Sequence, residues 1–428
     1  MSAPTAYRLL RADAMRRVQA GEIDPQGNRA VVRAALATVV REYQDRAHLD
    51  DDLAALTNPE GMVDRLLLAV CDYGPLTPLL ERRDIEEIQI QGARVAYLTA
   101  GRWVRHALPT SEEENRSYVE RLLTTAATSD RQLSAANPSL TVGLKGFARL
   151  SVKIPPIVDE LTVSLRKVVL RNPTLARLVE GGSLNPSAAS LLHALMQIRS
   201  RVVVAGAPTA GKTTMTNALL AAIPQTRVVR VNEEDRELYA DLMLGGYAMA
   251  SDRPGQTLRD LIKLDLRFRP DILVVGEVRG GEAFELLRPL NAGVGLLTTV
   301  HSNQAGDTID ALATAATHAG EKIGDATLRR LFAAAIDFVV FCDADEPLEG
   351  TEGNKRRQVT EISWVSPQLV GGTVVYEPIF RREALGQPLR WTGASPDPTT
   401  TARIERALPP GITLTALLDG RTHPGLAA

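Results

Sequence analysis

Eight consecutive residues of this 428-residue chain have the types and spacing that bind phosphate. They are Gly206-Ala207-Pro208-Thr209-Ala210-Gly211-Lys212-Thr213 and satisfy the pattern G-x-x-x-x-G-K-S/T. Backbone N–H groups of such a loop form an anion-binding nest, and the following helix adds its dipole. An apolar run precedes the loop and a helical stretch beginning with Thr214 comes after it, which argues against a chance glycine-rich turn. We expect Lys212 to reach the β- and γ-phosphates of a nucleotide and the Thr213 hydroxyl to bind Mg²⁺.

A second candidate is an acid that ends another apolar strand. Residues 272–275 are followed by Gly276 and Glu277, and Glu277 is expected to orient or deprotonate an attacking water. A solvated strand-end acid is the alternative, which is disfavoured because Gly276 permits close backbone approach. Arg279 could pair with phosphate or with the acids. Asp271 begins the same strand and is interpreted as a turn residue.

Three acids and a histidine come directly after two further predicted strands. Glu233, Glu234 and Asp235 follow the run 228–231, and His301 follows the run 296–300. Because the carboxyl ends of parallel strands face the ligand, we expect at least one of these acids to converge with Glu277 on the phosphates and metal. The alternatives are a surface charge run for the acids and a structural role for His301. The strand-end position favours a γ-phosphate contact for His301.

The elements that position these residues alternate between strand and helix. Apolar, β-branched runs at 201–205, 227–231, 272–275 and 296–300 are separated by helical stretches. This pattern predicts an α/β fold with a parallel sheet buried on both faces, over residues 184–428. A hairpin around Gly371-Gly372 and a short helix near residues 401–408 are expected near its end.

The residues before this domain have a different pattern of apolar residues and turn signals. Residues 1–72 have helical apolar spacing and are predicted to form an extension, which packs either on the adjacent domain or on a partner. Short strands and one helix opened by Ser111 predict a small α+β domain at residues 73–169. Residues 170–183 contain Asn-Pro and Gly-Gly-Ser punctuation and are predicted to be a linker.

Composition excludes several function classes. The formal net charge of −2 gives no global attraction for nucleic acid or acidic lipid. Cys71 and Cys342 lack metal-ligand spacing and indicate a reducing compartment. Neither a signal region nor a membrane-spanning run is found, so we expect a cytoplasmic protein that contacts a membrane only through a partner.

Taken together, the ordered motifs resemble those of the type II/type IV secretion ATPases, with the CpaF-like branch of Tad/Flp pilus assembly and conjugation-related systems as the most similar. The resemblance extends over about residues 66–392. The segments that carry it, besides the phosphate loop and the acidic segment with Glu237-Leu238, are 73–80, 85–88, 149–156, 164–167, 269–280, 298–303 and 357–362.

The resemblance implies a homo-hexameric motor that binds ATP and Mg²⁺. Its RecA-like ATPase domain is preceded by a PAS-like α+β domain that swings against it. Lys212 and Thr213 match the Walker A pair, and Glu277 matches the Walker B glutamate. Glu233 and Glu234 fall in the acidic box that serves the metal. An inner-membrane platform protein of a pilus or secretion machine is the implied partner, without stable nucleic-acid binding or membrane insertion.

Further residues match by position. His301 resembles the histidine of the family's His box, and Arg149 and Arg166 resemble arginines of the N-terminal domain that reach the nucleotide. They are candidate arginine fingers, and surface salt bridges are the alternative. The acidic box of the family usually has the sequence Glu-Asp, whereas the aligned residues here are Glu233-Glu234. Asp235 would match the family's aspartate only if the alignment were shifted by one residue. Residues 137–145 lack an arginine-bearing strand, which leaves open whether one nucleotide-contacting arginine is missing.

The predicted function is therefore ATP hydrolysis by a motor that powers pilus assembly, protein secretion or conjugative transfer. Two alternatives remain. The altered acidic box is compatible with an ATP-binding scaffold or regulatory subunit that hardly turns over. A DNA translocase is disfavoured by the net charge and by an aromatic content of only 4%.

Overall fold

The computed structural model describes residues 6–50, 52–107, 110–125, 133–144, 148–167, 173–234, 237–238, 244–249, 256–345 and 356–422. The chain divides into two compact units, Met1–Val169 and Leu170–Ala428. The described part of the chain contains no helix that is both long enough and apolar enough to cross a membrane.

Three helices open the first unit: α1 (Ala6–Gln19), α2 (Arg29–Ala47) and α3 (Pro59–Cys71). The side-chain oxygens of Asn28 and Asn58 accept hydrogen bonds from Ala30 N and Gly61 N, each at 2.9 Å. These caps satisfy N–H groups that a helix start leaves unpaired. The apolar stripes of the three helices meet in one core, which includes the buried side chains of Leu10, Leu36 and Leu66.

Helix α5 (Glu112–Thr125) ties this bundle to the rest of the first unit. Arg121 of α5 donates to the carbonyl oxygens of Ala69 at 2.7 Å and Val70 at 3.1 Å, in the last turn of α3. Arg11 of α1 lies 3.6 Å from a carboxylate oxygen of Glu114. Of the two alternatives left open by the sequence, the structure shows the extension packed on the adjacent α+β domain.

A six-stranded antiparallel sheet forms the rest of the first unit, in the order β3-β2-β1-β6-β5-β4. The strands are β1 (Ile85–Gln91), β2 (Arg94–Thr99), β3 (Arg102–Arg105), β4 (Ser139–Leu144), β5 (Ala148–Lys153) and β6 (Thr162–Lys167). Helix α4 (Thr77–Glu81), the 3-10 helix Gly74–Leu76 and α5 cover one face. Alternating side chains, such as Leu150 and Leu165, are buried against these helices. The opposite face carries polar residues.

A nine-stranded sheet organises the second unit, in the order β15-β14-β13-β12-β7-β11-β10-β8-β9. The strands are β7 (Arg201–Gly206), β8 (Val228–Glu233), β9 (Leu244–Met249), β10 (Ile272–Val278), β11 (Gly295–Val300), β12 (Phe338–Ala344), β13 (Arg357–Val370), β14 (Thr373–Arg381) and β15 (Arg390–Trp391). Strands β12 to β9 in this order are parallel, and β13, β14 and β15 are added antiparallel. The predicted hairpin at Gly371-Gly372 is confirmed as the β13–β14 turn, and both glycines have positive φ.

Helices cover both faces of this sheet. They are α6 (Leu175–Glu180), α7 (Pro186–Gln197), α8 (Lys212–Ala221), α9 (Leu258–Asp265), α10 (Glu282–Asn291), α11 (Thr308–Thr317), α12 (Asp325–Ala335), α13 (Pro398–Glu405) and α14 (Leu414–Leu418), with 3-10 turns at Leu266–Phe268 and Ala305–Asp307. One core packs α7 and α8 on one face, and a second packs α10, α11 and α12 on the other. Because both faces are covered, the strand 202–205 is buried without alternation.

The described part of the predicted linker, residues 173–183, is not an open connection. It contains α6, whose Leu175 and Leu178 are buried in the same core as α7 and α8. Thr174 caps this helix by accepting from Arg177 N. The Gly-Gly-Ser punctuation that contributed to the linker prediction begins at Gly181, the C-cap of this packed helix.

Candidate active site

The phosphate loop joins β7 to α8 and depends on glycine at two positions. Gly206 has φ +146°, and a Cβ built on it would collide with the carbonyl oxygen of Cys342 on β12. Gly211 has φ +97° and is the N-cap of α8, whose first turn holds Lys212, Thr213 and Thr214. Side chains other than hydrogen are strained at these angles. The backbone therefore has the turn that the sequence pattern requires.

Lys212 lies inside this turn and is buried. Its Nζ donates to the carbonyl oxygens of Gly206 and Ala207, each at 3.0 Å, and lies 3.2 Å from Nδ1 of His301. The ammonium group has three protons to donate and accepts none. His301 Nδ1 is therefore the acceptor in this contact, and the ring proton of a neutral His301 is on Nε2.

His301 connects the loop to the acid at the end of β10. Its Nε2 lies 2.5 Å from Oε1 of Glu277, in close contact although Oε1 receives no well-aligned hydrogen bond. Burial, together with the positive charge of Lys212, holds the pKa of His301 below its usual range, and Glu277 opposes this shift. The imidazole is thus neutral near pH 7 and lies between a cation and an anion.

The end of β10 is shaped so that Glu277 faces this cluster. The pairing of β10 with β11 is irregular between Val275 and Val278, and Thr299 Oγ1 on β11 donates to Gly276 O at 2.7 Å. Arg279 forms an ion pair with Glu277 and lies 3.5 Å from a carboxylate oxygen of Glu234. Arg279 therefore pairs with acids, one of the two roles that the sequence left open.

The acidic residues after β8 differ in burial and in their contacts. Glu233 is buried, and its Oε2 accepts from the backbone N–H groups of Glu237 and Leu238 at 3.3 and 3.0 Å. A Cβ on Gly276 would collide with the Glu233 side chain, so this glycine makes room for the acid. Glu234 is exposed and pairs with Arg279. Asp235 lies outside the described residues.

Glu237, which the sequence analysis did not assign to the metal, lies against the phosphate loop. Its Oε2 accepts from Thr213 Oγ1 at 3.3 Å, and Asn217 Nδ2 of α8 donates to its backbone oxygen at 3.1 Å. Within the described residues, no group of three or more His, Cys, Asp or Glu side chains could hold a metal ion by itself. A hydroxyl and one or two carboxylates fit Mg²⁺, which takes further ligands from phosphate and water.

The two candidate arginine fingers lie in the first unit. Arg149 on β5 is directly opposite Arg166 on β6, and Arg166 is opposite Glu87 on β1. All three lie on the polar face of the sheet. Their part in nucleotide binding stays a prediction. Strand β4, at the place where an arginine-bearing strand was expected to be missing, is present and carries no arginine.

Other predicted residues fall where the sequence placed them. Asp271 lies at the opposite end of β10 from Glu277, where it accepts from Val228 N at 3.0 Å and pairs with Arg199. Cys342 is fully buried, and burial raises the pKa of its thiol to about 12, so it adds no charge beside Lys212.

The structure also assigns contacts that the motifs did not indicate. Thr299 and Arg357 both bond to backbone carbonyls of the site, Gly276 O and Thr209 O respectively. The contact of Arg357 joins residues 148 positions apart and has no local signal.

Comparison with known proteins places this geometry in a family. The family model described as "Type II/IV secretion system protein" matches residues 88–340, more than half of the chain. The protein Rv3659c of Mycobacterium tuberculosis (strain ATCC 25618 / H37Rv), named for conjugal transfer, is 33% identical over 249 residues, covering 55% of this chain and 70% of the relative. Conjugal transfer protein TrbB of Rhizobium radiobacter is 27% identical over 339 residues, covering 76% and 90%.

Among solved structures, the VirB11 ATPase of the Brucella suis type IV secretion system, in complex with sulphate, is 24% identical. The similarity covers 68% of this chain and 92% of that one, with a TM-score of 0.36. In the present structure, β11 lies between the phosphate-loop strand β7 and the Glu277-bearing strand β10 of a parallel sheet. The chain thus has the RecA-like P-loop fold of an ATPase and belongs to the Type II/IV secretion system protein family.

Proposed function

We propose that this chain is the subunit of a hexameric, Mg²⁺-dependent ATPase that powers pilus assembly, protein secretion or conjugative transfer. The observation that carries the proposal is the contact series Lys212–His301–Glu277 at the carboxyl edge of the parallel sheet. An ammonium group and a carboxylate lie on either side of one imidazole, which supports a phosphate-binding role for Lys212 and a water-activating role for Glu277. The relatives are named as conjugal transfer proteins, which supports a role in transfer or secretion but does not identify the transported molecule.

The loop binds the phosphates of ATP in this mechanism. Lys212 exchanges its bonds to the Gly206 and Ala207 carbonyls for bonds to the β- and γ-phosphate oxygens, while backbone N–H groups of residues 209–214 bind the remaining oxygens. Thr213 and Glu237 would hold Mg²⁺, and Glu233 fixes the backbone that carries Glu237. The ion would supply positive charge that offsets the charge of the β- and γ-phosphates.

Glu277 orients the attacking water and accepts its proton. Its carboxylate is fixed by Arg279 and by His301, and the backbone before it is fixed by Thr299. A carboxylate held on two sides loses little freedom on reaching the reactive geometry. His301 reports the presence of the γ-phosphate, because Lys212 leaves its Nδ1 when the phosphate arrives.

Arg149 and Arg166 are proposed to contact the nucleotide from the α+β domain. The two arginines are directly opposite each other on adjacent strands, on the polar face of the sheet. Two neighbouring guanidinium groups can bind the oxygens of one phosphate group, which supports this proposal. Closure of the two domains around ATP would then couple hydrolysis to movement.

The assembly is proposed to be a homo-hexamer on the cytoplasmic side of the inner membrane, docked on a platform membrane protein. Co-purification with a platform membrane protein of a pilus or secretion machine, and mass measurement of the purified oligomer, test this part. An isolated monomer with full ATPase activity would contradict the hexamer.

The catalytic proposal is tested by the variant Glu277→Gln. We expect ATP binding to persist while Mg²⁺-dependent turnover falls by about 10²–10⁴-fold, as for loss of a general base. The Glu234→Gln variant, which changes an exposed acid beside the same Arg279, is the matched comparison. If the wild-type oligomer binds ATP but shows no Glu277-dependent turnover, the scaffold alternative is correct. Activity that requires DNA would instead favour the translocase.

A further inference from the structure

The first residue of β13 braces the phosphate loop from outside. Arg357 Nε donates to the carbonyl oxygen of Thr209 at 3.0 Å. A Cβ built on Gly211 would lie 3.6 Å from Arg357 Cβ and 3.9 Å from its Cδ, so the aliphatic part of the side chain runs along the loop. Thr209 has φ +63°, which a β-branched residue rarely adopts. The hydrogen bond from Arg357 helps hold this strained residue in place.

The next two residues of β13 bind a different segment. Gln358 Nε2 donates to Gly182 O at 2.9 Å, and Val359 N donates to Ser183 O at 3.3 Å. Buried Arg382 ties both sides together, because its Nε donates to Val359 O and its Nη2 donates to Ser183 O, each at 3.1 Å. Gly182 and Ser183 come after α6, at the end of the segment that enters this unit from residue 170.

The strand between these two contacts is held firmly. Arg357, Gln358 and Val359 pair with Ala344, Asp343 and Cys342 of β12. The carbonyl oxygen of Cys342 in turn packs on Gly206 at the start of the loop. Because hydrogen-bonded strands in a packed core move as units, a displacement of Thr209 is passed along three consecutive residues to Gly182 and Ser183.

We propose that Arg357 is a positioning residue for the phosphate loop, and that the segment Arg357–Val359 transmits nucleotide occupancy of the loop to residues 173–184. The inference rests on the proposed function only in requiring that ATP binds at this loop. It identifies a physical connection, within the ATPase unit, between the nucleotide site and the segment that leads to the α+β domain.

Arg356 provides a matched control for Arg357. It carries the same charge one residue earlier, but its side chain lies against Gly386 and its backbone N–H binds Asp345. We expect Arg357→Gln in the full-length protein to raise the KM for ATP about tenfold, the order of one hydrogen bond to a charged group. Arg356→Gln should leave KM unchanged, and Arg357→Lys, which can still reach a carbonyl, should recover part of the loss. Thermal unfolding of each variant checks that it is folded.

The second readout is amide hydrogen exchange of residues 173–184 with and without a non-hydrolysable ATP analogue. In the wild type we expect the analogue to slow exchange there by severalfold. Gln358→Ala, which removes the side-chain contacts to Gly182 O and Gly386 N but none to the phosphate loop, should abolish this difference while ATP affinity stays normal. The inference is overturned if the analogue does not change the exchange rate of residues 173–184 in the wild type. It is also overturned if Arg357→Gln and Arg356→Gln have the same KM for ATP. Both results are compatible with Glu277-dependent hydrolysis, so they leave the proposed function intact.

Discussion

His301 Nδ1 lies 3.2 Å from Lys212 Nζ, so a ring nitrogen that would be protonated in imidazolium instead accepts from a cation. Protonation of His301 would place two positive charges in contact. Burial and Lys212 accordingly lower its pKa, and the effect of Glu277 on the other side is smaller than that of Lys212. The imidazole is therefore a neutral connector between the phosphate loop and the acid of β10.

The first prediction concerns stability and pH. Because the pKa of His301 is lowered in the folded state, the unfolded chain binds more protons below the ordinary histidine pKa of about 6.5. The contribution of neutral His301 is present above that pH and is lost as the pH falls through the folded pKa. We expect the free energy of unfolding, measured in urea between about pH 8 and pH 5.5, to fall further in the wild type than in His301→Gln. Parallel curves for the two proteins would refute the assigned protonation state.

The second prediction separates the metal candidates. Glu237→Gln removes the carboxylate beside Thr213, so we expect the Mg²⁺ concentration for half-maximal ATPase activity to rise about tenfold or more. Glu234→Gln removes an exposed acid that binds Arg279, and we expect a shift of less than about threefold. Magnesium titration of both variants at saturating ATP is the measurement. If the Mg²⁺ concentration for half-maximal activity rises more in Glu234→Gln than in Glu237→Gln, Glu234 is the metal ligand, as the motif predicted.

The same acids show how much of the site could be predicted from the sequence. The motif predicted the phosphate loop, the glutamate of β10, the histidine of β11 and the parallel sheet, because each depends on local pattern and strand order. It assigned the metal to Glu233 and Glu234 and gave Glu237 no role, because adjacency in sequence does not show which side chain turns inward. The Glu233 carboxylate accepts hydrogen bonds from two backbone N–H groups. These bonds depend on the path of the loop, which the spacing of residue types in the sequence does not reveal.

Long-range contacts were equally hidden from the sequence. The partnership of Arg357 with Thr209 and that of Thr299 with Gly276 depend on how strands are ordered in the sheet, and the first of these joins residues 148 positions apart. The Gly-Gly-Ser segment was interpreted as linker because its composition is permissive. Its packing on the core depends on Leu175 and Leu178, whose partners are distant in sequence.

The third prediction tests whether the backbone of β10 positions Glu277. Thr299→Val removes the hydroxyl that donates to Gly276 O at 2.7 Å. We expect kcat to fall about tenfold with little change in the KM for ATP, because the acid shifts while the phosphate loop does not. Thr298→Val is the matched control, since its Oγ1 is buried without a hydrogen-bond partner in the structure and its loss should be neutral or stabilising. Equal kinetics in the two variants would exclude a positioning role for Thr299.

The fourth prediction concerns the docking of the N-terminal helices. Arg121→Met keeps much of the apolar stem of the side chain but leaves the carbonyl oxygens of Ala69 and Val70 without their donor. Because buried carbonyls without a partner are costly, we expect a loss of about 1–3 kcal/mol in the free energy of unfolding. Proteolytic cleavage between α3 and β1 should also become faster.

Arg116→Met on the same helix, at a position as half-buried as that of Arg121, is the control for helix propensity and charge. Its free energy of unfolding should lie within about 0.5 kcal/mol of the wild-type value. Urea unfolding followed by circular dichroism, together with a time course of limited proteolysis, measures both effects. If Arg121→Met is as stable and as protease-resistant as Arg116→Met, the contact of α5 with the end of α3 does not hold the extension in place. The contact of the Arg11 guanidinium group of α1 with the ring of Tyr118 on α5 would then account for the docking, and Arg11→Met should release residues 6–71 instead.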